Sequence, residues 1–341
     1  LSPFFTNLNK GEETLENKNT ITILGAGAWG TALATLLARN GYQVKLWCFE
    51  SEVADAIAHT RCNERYFPGI YLDLAIEPTP DLAYALRDAS YIIEAIPVQF
   101  LRSILFQARP FCTPNQTWIV TSKGIEKETL LLPTQIVADV FPFKPKTVVL
   151  SGPSFARDLA NDQLTAVHLG ADDASLGKEV QKILTNEMFI VHLSNDLIGM
   201  QMGGALKNVI ALGVGILDGA GYTDNTKAFF ITRGFQELVL LATAMGATQE
   251  TLYGLSGLGD TILTATGPQS KNLTIGKRIG RGERLAEIAQ TAEQLPEGIN
   301  TLQSIAHLIH RLKLDAPICT GLYHVVFENK KVAHFLKEFK R

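Results

Sequence analysis

Ile21-Thr22-Ile23-Leu24-Gly25-Ala26-Gly27-Ala28-Trp29-Gly30 decides how this chain is read. Ile21 to Leu24 is a short apolar run, as expected of a strand buried in a parallel sheet. Gly25, Gly27 and Gly30 then fit G-x-G-x-x-G, and Thr31 to Arg39 is Ala/Leu-rich and predicts a helix. Gly41 stops that helix, and Gln43 to Trp47 predicts the next strand. Each glycine has a physical task. Gly25 allows a tight turn, Gly27 lets the backbone approach a pyrophosphate, and Gly30 lets the helix pack on the strand. The free N–H groups at the helix start face the phosphates. A strand–glycine loop–helix–strand order is the context that gives this pattern meaning.

Outward from that unit, strand and helix continue to alternate. Val53 to His59, Asp81 to Arg87 and Val98 to Ala108 are helix-like. Tyr91 to Ile96, Thr117 to Thr121, Thr147 to Leu150, Leu164 to Leu169 and Phe189 to His192 are strand-like. Arg61 to Gly69 reads as a loop with two arginines. Such alternation implies an α/β, Rossmann-like, doubly wound and mostly parallel sheet, with ligands at the carboxyl ends of its strands. Gly25–Gly30, Pro97, Ser122–Lys123 and Gly152–Ala156 all fall there. After Ser194 the character changes. Asp196 to Leu217 and Thr226 to Met245 are apolar on most sides, as buried helices are. Ile275 to Ile279, Arg284 to Ala289, Thr301 to Leu312 and Thr320 to Phe327 follow, all helix-like. The expected organisation is a loose tail (1–19), a dinucleotide-binding domain (20–194) and an all-α C-terminal, substrate-binding domain (195–341).

Composition narrows the class. Of 341 residues, 46% are hydrophobic and 19% charged, enough for sizeable cores and against disorder. A net charge of −3 gives no basis for nucleic acid or an anionic membrane as partner. No apolar run approaches the ~20 residues that span a bilayer. Cys48, Cys62, Cys112 and Cys319 are scattered without C-x-x-C, which favours free thiols in a reducing cytoplasm over a disulfide frame or zinc site. The seven histidines suggest no metal site; His307 and His310 share a helix face without a nearby carboxylate.

Chemistry needs a proton donor and a substrate cradle beside a dinucleotide. Lys207, in Gly203-Gly204-Ala205-Leu206-Lys207-Asn208, is polar inside an apolar helix. Desolvation there lowers its pKa toward proton transfer, unless it snorkels to the surface. Asp260, in Gly257-Leu258-Gly259-Asp260, caps a helix or orients Lys207. Ser270-Lys271-Asn272, after Gly267-Pro268, suits a phosphate or is a polar capping loop. Lys123 in Ser122-Lys123-Gly124, and Gly152-Pro153-Ser154, either touch substrate or only turn the chain.

The whole set resembles the bacterial NAD(P)-dependent glycerol-3-phosphate dehydrogenases. The matching segments are Gly25 to Ala34, Ser122 to Glu126, Ser151 to Ala156, Gly204 to Val209, Gly257 to Asp260 with Thr264, Ser270 to Asn272, and Pro296 to Gly298. They run in the family's order from about residue 20 to about residue 330. The resemblance implies reversible reduction of dihydroxyacetone phosphate to sn-glycerol 3-phosphate with NAD or NADP, feeding phospholipid synthesis in the cytoplasm. It implies Lys207 as proton donor and acceptor, with Asp260 and Lys123 beside it. Lys123, Gly152, Ser154, Lys207, Asp260, Thr264, Ser270, Lys271 and Asn272 match positions that hold substrate. Gly25, Gly27, Ala28, Trp29, Gly30, Phe49, Lys123, Ala156, Lys271, Leu295 and Glu297 match positions around the cofactor. No metal is implied. Ala28 replaces a frequent Ser, and Lys271 a usual Arg, which turns bidentate phosphate binding into point-charge binding. Cys48-Phe49 stands where a His or Arg is common, so no cation waits for a 2′-phosphate there, while Glu50 can bond a ribose hydroxyl. Two other readings stand beside this one. The first is a related two-domain dehydrogenase for a hydroxy acid or sugar acid; the second is a dinucleotide sensor without turnover. The apolar helical half could support a homodimer.

Overall fold

The structure, a computed structural model, describes residues 20–292 and 294–338. The expected tail at 1–19 lies outside the described residues. The first part of the chain runs β1 (Thr20–Leu24), α1 (Ala28–Arg39), β2 (Val44–Trp47), α2 (Ser51–Thr60), β3 (Cys62–Asn63), β4 (Phe67–Tyr71), β5 (Ile76–Thr79), α3 (Leu82–Leu86) and β6 (Ala89–Glu94). It continues through α4 (Val98–Ala108), β7 (Thr117–Val120), α5 (Pro133–Val140), β8 (Lys146–Ser151), α6 (Ala156–Ala160), β9 (Thr165–Ala171), α7 (Ala174–Leu184) and β10 (Phe189–Ser194).

Eight strands form one sheet in the order β10-β9-β8-β7-β6-β1-β2-β5, parallel except between β8 and β9. The chain winds outward from β1 to β2 and β5, then returns to the other side of β1 at β6. The strand order therefore reverses between β1 and β6, and the crevice at such a switch point is where these sheets bind ligands. Ile21, Ile23, Ile92 and Ile93 are fully buried, as strands covered on both faces require. At the crevice, Gly30 has no alternative. A Cβ there would lie 1.9 Å from the Gly25 carbonyl oxygen.

The region Arg61 to Gly69 is more than a loop. β3 and β4 pair as a small antiparallel hairpin, and β5, not anticipated, extends the main sheet beside β2. The hairpin is pinned to the glycine loop by Asn63, whose Nδ2 donates to the Ala26 carbonyl at 2.7 Å. Helices α5, α6 and α7 are also additions to the sequence reading. Two had local signals: Pro133 opens α5, and the Asp173 carboxylate caps α7 by accepting from the Ser175 and Leu176 N–H groups.

Helices alone follow Ser194 among the described residues: α8 (Leu197–Gly219), α9 (Asp224–Ala244), α10 (Gln249–Tyr253), a π-helical turn (Leu255–Gly259), α11 (Asp260–Thr266), α12 (Lys271–Gly280), α13 (Leu285–Thr291), α14 (Glu297–Leu312), α15 (Pro317–Glu328) and α16 (Val332–Glu338). The axis of this half is α8, buried almost all round and capped by Asp196. Its first turn reaches the sheet, where Met200 joins the cluster of Leu24, Val120 and Val149. One expectation needs correcting here. With 23 residues, α8 is long and apolar enough to cross a bilayer, although 83% of its apolar window is buried within the protein.

Candidate active site

Two long-range ion pairs meet at one carboxylate. Lys207, from the middle of α8, donates from Nζ to Asp260 Oδ1 at 2.7 Å and to the Thr264 hydroxyl at 2.9 Å. Lys123, from the end of β7, donates to Asp260 Oδ2 at 2.6 Å and to the Gly152 carbonyl at 3.0 Å. Asp260 is wholly buried. Burial alone would raise its carboxyl, but the ammonium groups of Lys123 and Lys207 override this and hold it below its usual value. Burial lowers Lys207 to about 8, with Lys123 adding to the drop and Asp260 opposing it. Snorkelling is thus excluded for Lys207, which is 9% exposed and bonded inward. Capping is excluded for Asp260, since both its oxygens accept from lysines.

These groups open onto a cleft of about 370 Å³ between the sheet's carboxyl edge and the helical half. Lys207, Lys123, Lys271 and Asn272 line it, together with Ala28, Trp29, Ser154, Ala156, Leu295 and Glu297. Gly152, Asp260 and Thr264 stand just behind, through the hydrogen bonds above. Ser154 donates to the Gly152 carbonyl at 3.1 Å. Lys271 is exposed at the start of α12.

The Ser270-Lys271-Asn272 triplet divides. Ser270 is buried and caps α12, its hydroxyl accepting from the Leu273 N–H at 3.2 Å. Asn272 donates to Asn208 Oδ1 at 2.9 Å and accepts from the Gly298 N–H at 2.9 Å. Both polar ends of that amide are engaged by protein, while the Ser270 hydroxyl keeps its own O–H and the Asn272 amide a second N–H beyond these bonds. Lys271 is the member left with its charge toward the cleft.

The cleft fits a dinucleotide on three observations. A Cβ on Gly27 would meet nothing within 4 Å, so the loop leaves space where a pyrophosphate would lie. Helix α1 starts with no side-chain cap, so its first N–H groups are free for phosphate oxygens. The Trp29 indole N–H, in the cleft wall, is buried without a hydrogen-bond partner among the described residues. Gly25 and Gly30 serve the turn and its packing rather than the cleft surface. Phe49 is 69% exposed at the end of β2, outside the cleft lining.

Comparison with known proteins decides the family. Residues 20–177 match the NAD-dependent glycerol-3-phosphate dehydrogenase N-terminus, and residues 196–337 match the corresponding C-terminus. Glycerol-3-phosphate dehydrogenase [NAD(P)+] of Citrifermentans bemidjiense is 38% identical, covering 93% of this chain and 96% of its own. This chain belongs to the NAD-dependent glycerol-3-phosphate dehydrogenase family. The enzyme of the same description from Geobacter metallireducens is 41% identical over 91% of this chain and 93% of its own. The crystal structure of glycerol-3-phosphate dehydrogenase from Coxiella burnetii superposes with a TM-score of 0.90 at 31% identity, over 95% and 99% of the two chains. The chain is therefore an oxidoreductase of the nicotinamide dinucleotide class.

Beyond the site residues expected from the sequence, further polar groups reach the cleft. Thr121, Ser122 and Gln294 line the cleft. Asn208 links the cleft wall to Asn272. Glu297, expected at the cofactor, lines the same cleft between Gly124 and the Val98 N–H, accepting from the latter at 3.2 Å, and burial pushes its carboxyl up to about 7. Polar residues beside Lys207 on α8 were the available signal for Asn208; nothing local marked Gln294.

Proposed function

We propose that this chain reversibly reduces dihydroxyacetone phosphate to sn-glycerol 3-phosphate with NADH or NADPH. The observation that carries the reading is the buried Lys207–Asp260–Lys123 cluster facing a cleft built on the glycine loop. When bound, the dinucleotide supplies the hydride; Gly27, the α1 N–H groups, Trp29 and Glu297 would hold it. Lys207 gives a proton to the substrate carbonyl oxygen as it becomes a hydroxyl, and takes it back in reverse. Asp260 keeps Lys207 aimed, with Thr264 as its second anchor. Lys123 brings positive charge to the oxygen where negative charge develops. Lys271 binds the substrate phosphate as a point charge, which sets which carbon meets the cofactor.

The product is the glycerol phosphate unit of glycerophospholipids, and we assign the enzyme to their supply in the cytoplasm. Exposed Phe229 and Leu240, on one face of α9, favour a homodimer, which sedimentation tests. The activity is tested by the nicotinamide absorbance band. It should fall when dihydroxyacetone phosphate is added and hardly change with unphosphorylated dihydroxyacetone. Equal rates on both, or on hydroxy acids, would remove the phosphate from the reading.

A further inference from the structure

Glu94 ends β6 and is fully buried, yet none of the chemistry above uses it. Its Oε1 accepts from the Thr121 N–H at 3.1 Å, the Ser122 N–H at 3.1 Å and the Ser122 hydroxyl at 2.8 Å. Its Oε2 accepts from the Ile96 N–H at 3.4 Å. The Thr121 hydroxyl returns a bond of 2.7 Å to the Glu94 carbonyl. The donors come from the carboxyl ends of two neighbouring strands, β6 and β7. One set immediately precedes Lys123 and the other immediately precedes Pro97. Thr121, Ser122, Ile96, Pro97 and Lys123 all line the cleft.

A neutral side chain could satisfy several of these donors. An ionised carboxylate in a dry interior opposes folding unless a charge pairs with it, and the bonded partners here are backbone N–H groups and a hydroxyl. Burial pushes Glu94 up to about 7, against the pull of those four hydrogen bonds. The charged groups on the surrounding elements are otherwise engaged. Lys123 is bonded to Asp260 and Gly152, and Glu297 accepts from Val98 beyond Pro97.

We propose that Glu94 is a positioning residue for the reaction in this cleft: it locks the β6 and β7 ends together, and so sets where Lys123 meets Asp260 relative to the Ile96–Pro97 wall. The proposal rests on the cleft being the site of dihydroxyacetone phosphate reduction. The topology explains the need. β6 lies between β1 and β7 at the switch point, and one bond network holds the floor of the crevice on the β7 side.

Two substitutions in the full chain test it. Glu94→Gln keeps an oxygen for the three Oε1 donors and sets an amide N–H group against the Ile96 N–H. Glu94→Leu removes every acceptor. The readouts are kcat, KM for dihydroxyacetone phosphate, cofactor affinity by tryptophan quenching, and the melting temperature. A carboxyl raised in the folded state contributes stability while protonated and loses it as pH rises through about 7. Above that pH the Gln variant should therefore melt at or above the parent. Its kcat should nevertheless fall roughly 10- to 100-fold, from displacement of Lys123, with cofactor affinity within about threefold. A variant that is stable yet slow is the result a purely structural Glu94 does not give. Parent-level kcat per folded molecule in the Gln variant overturns the proposal. Should Glu94→Leu fail to fold, Ser122→Ala, which removes only the hydroxyl donor, should give a smaller loss of kcat in the same direction, and no loss counts against the proposal. A parent enzyme without turnover of dihydroxyacetone phosphate refutes the proposed function instead.

Discussion

Lys207 has a lowered pKa near 8 because it is buried, and an unbroken bond to Asp260 because that carboxylate is buried with it. Lys207→Met should cut kcat by about 10²–10⁴ with cofactor affinity intact, the loss expected for a missing general acid. Near-parent kcat would make Lys207 structural. The sign of the pH effect follows. Reduction needs Lys207 protonated, so its rate should fall as pH rises through about 8, and the oxidation rate should rise. A second residue prediction concerns cofactor choice. Glu50, at the end of β2, accepts from the Tyr66 hydroxyl at 2.6 Å, and Arg65 lies 3.8 Å from the same carboxylate. Phe49→Arg adds a cation beside this acid. The kcat/KM ratio of NADPH over NADH should then rise about 10- to 150-fold, the worth of one charge-assisted hydrogen bond. An unchanged ratio would move the 2′-position toward Arg65. At this scale the sequence was informative about residue type, and it offered the Asp260–Lys207 pairing only beside a capping role, with no local sign that Lys123 shares the same carboxylate. Lys207, Asp260 and Lys123 each stood out from their neighbours, but 53 and 137 residues separate the members of the two pairs.

Helices α8 and α12 pack closely enough to bring backbone against backbone. A Cβ on Gly276 would lie 2.2 Å from the Leu212 carbonyl oxygen, and one on Gly215 the same distance from that of Leu273. Gly276→Ala should push α12 off α8, costing about 1–3 kcal/mol of stability. Because Lys271 and Asn272 open α12, KM for dihydroxyacetone phosphate should rise with the lower melting temperature. If the melting temperature drops and KM stays, the α12 start does not carry the phosphate contact. Strongly patterned elements such as β1, α1 and α14 were legible because one face or both faces are apolar. β3, β4 and β5 were not. They are short, β4 and β5 each carry a proline, and all three are held by pairing, which local pattern does not encode.

Across the molecule, the cleft takes walls from both the sheet and the helical half. A dinucleotide at 100 times its dissociation constant should add about 2.7 kcal/mol to the folded state. Calorimetry should show the unfolding of both halves shifting upward together. A shift confined to one transition would mean that one half alone binds it.

The sequence by itself determined the doubly wound sheet, the helical second half and the glycine loop, because these depend on periodicity and on backbone freedom at single positions. It also singled out Lys207 and Asp260, since a charge inside an apolar or glycine-rich segment is visible without a structure. Only the tertiary structure decided that Lys123 shares Asp260, that Ser270 caps α12, and that Glu94 ties two strand ends together. Hydrogen bonds and ion pairs of this kind join segments far apart in the chain, and which donor meets which acceptor is set by how helices and strands pack, not by what stands next to them in sequence.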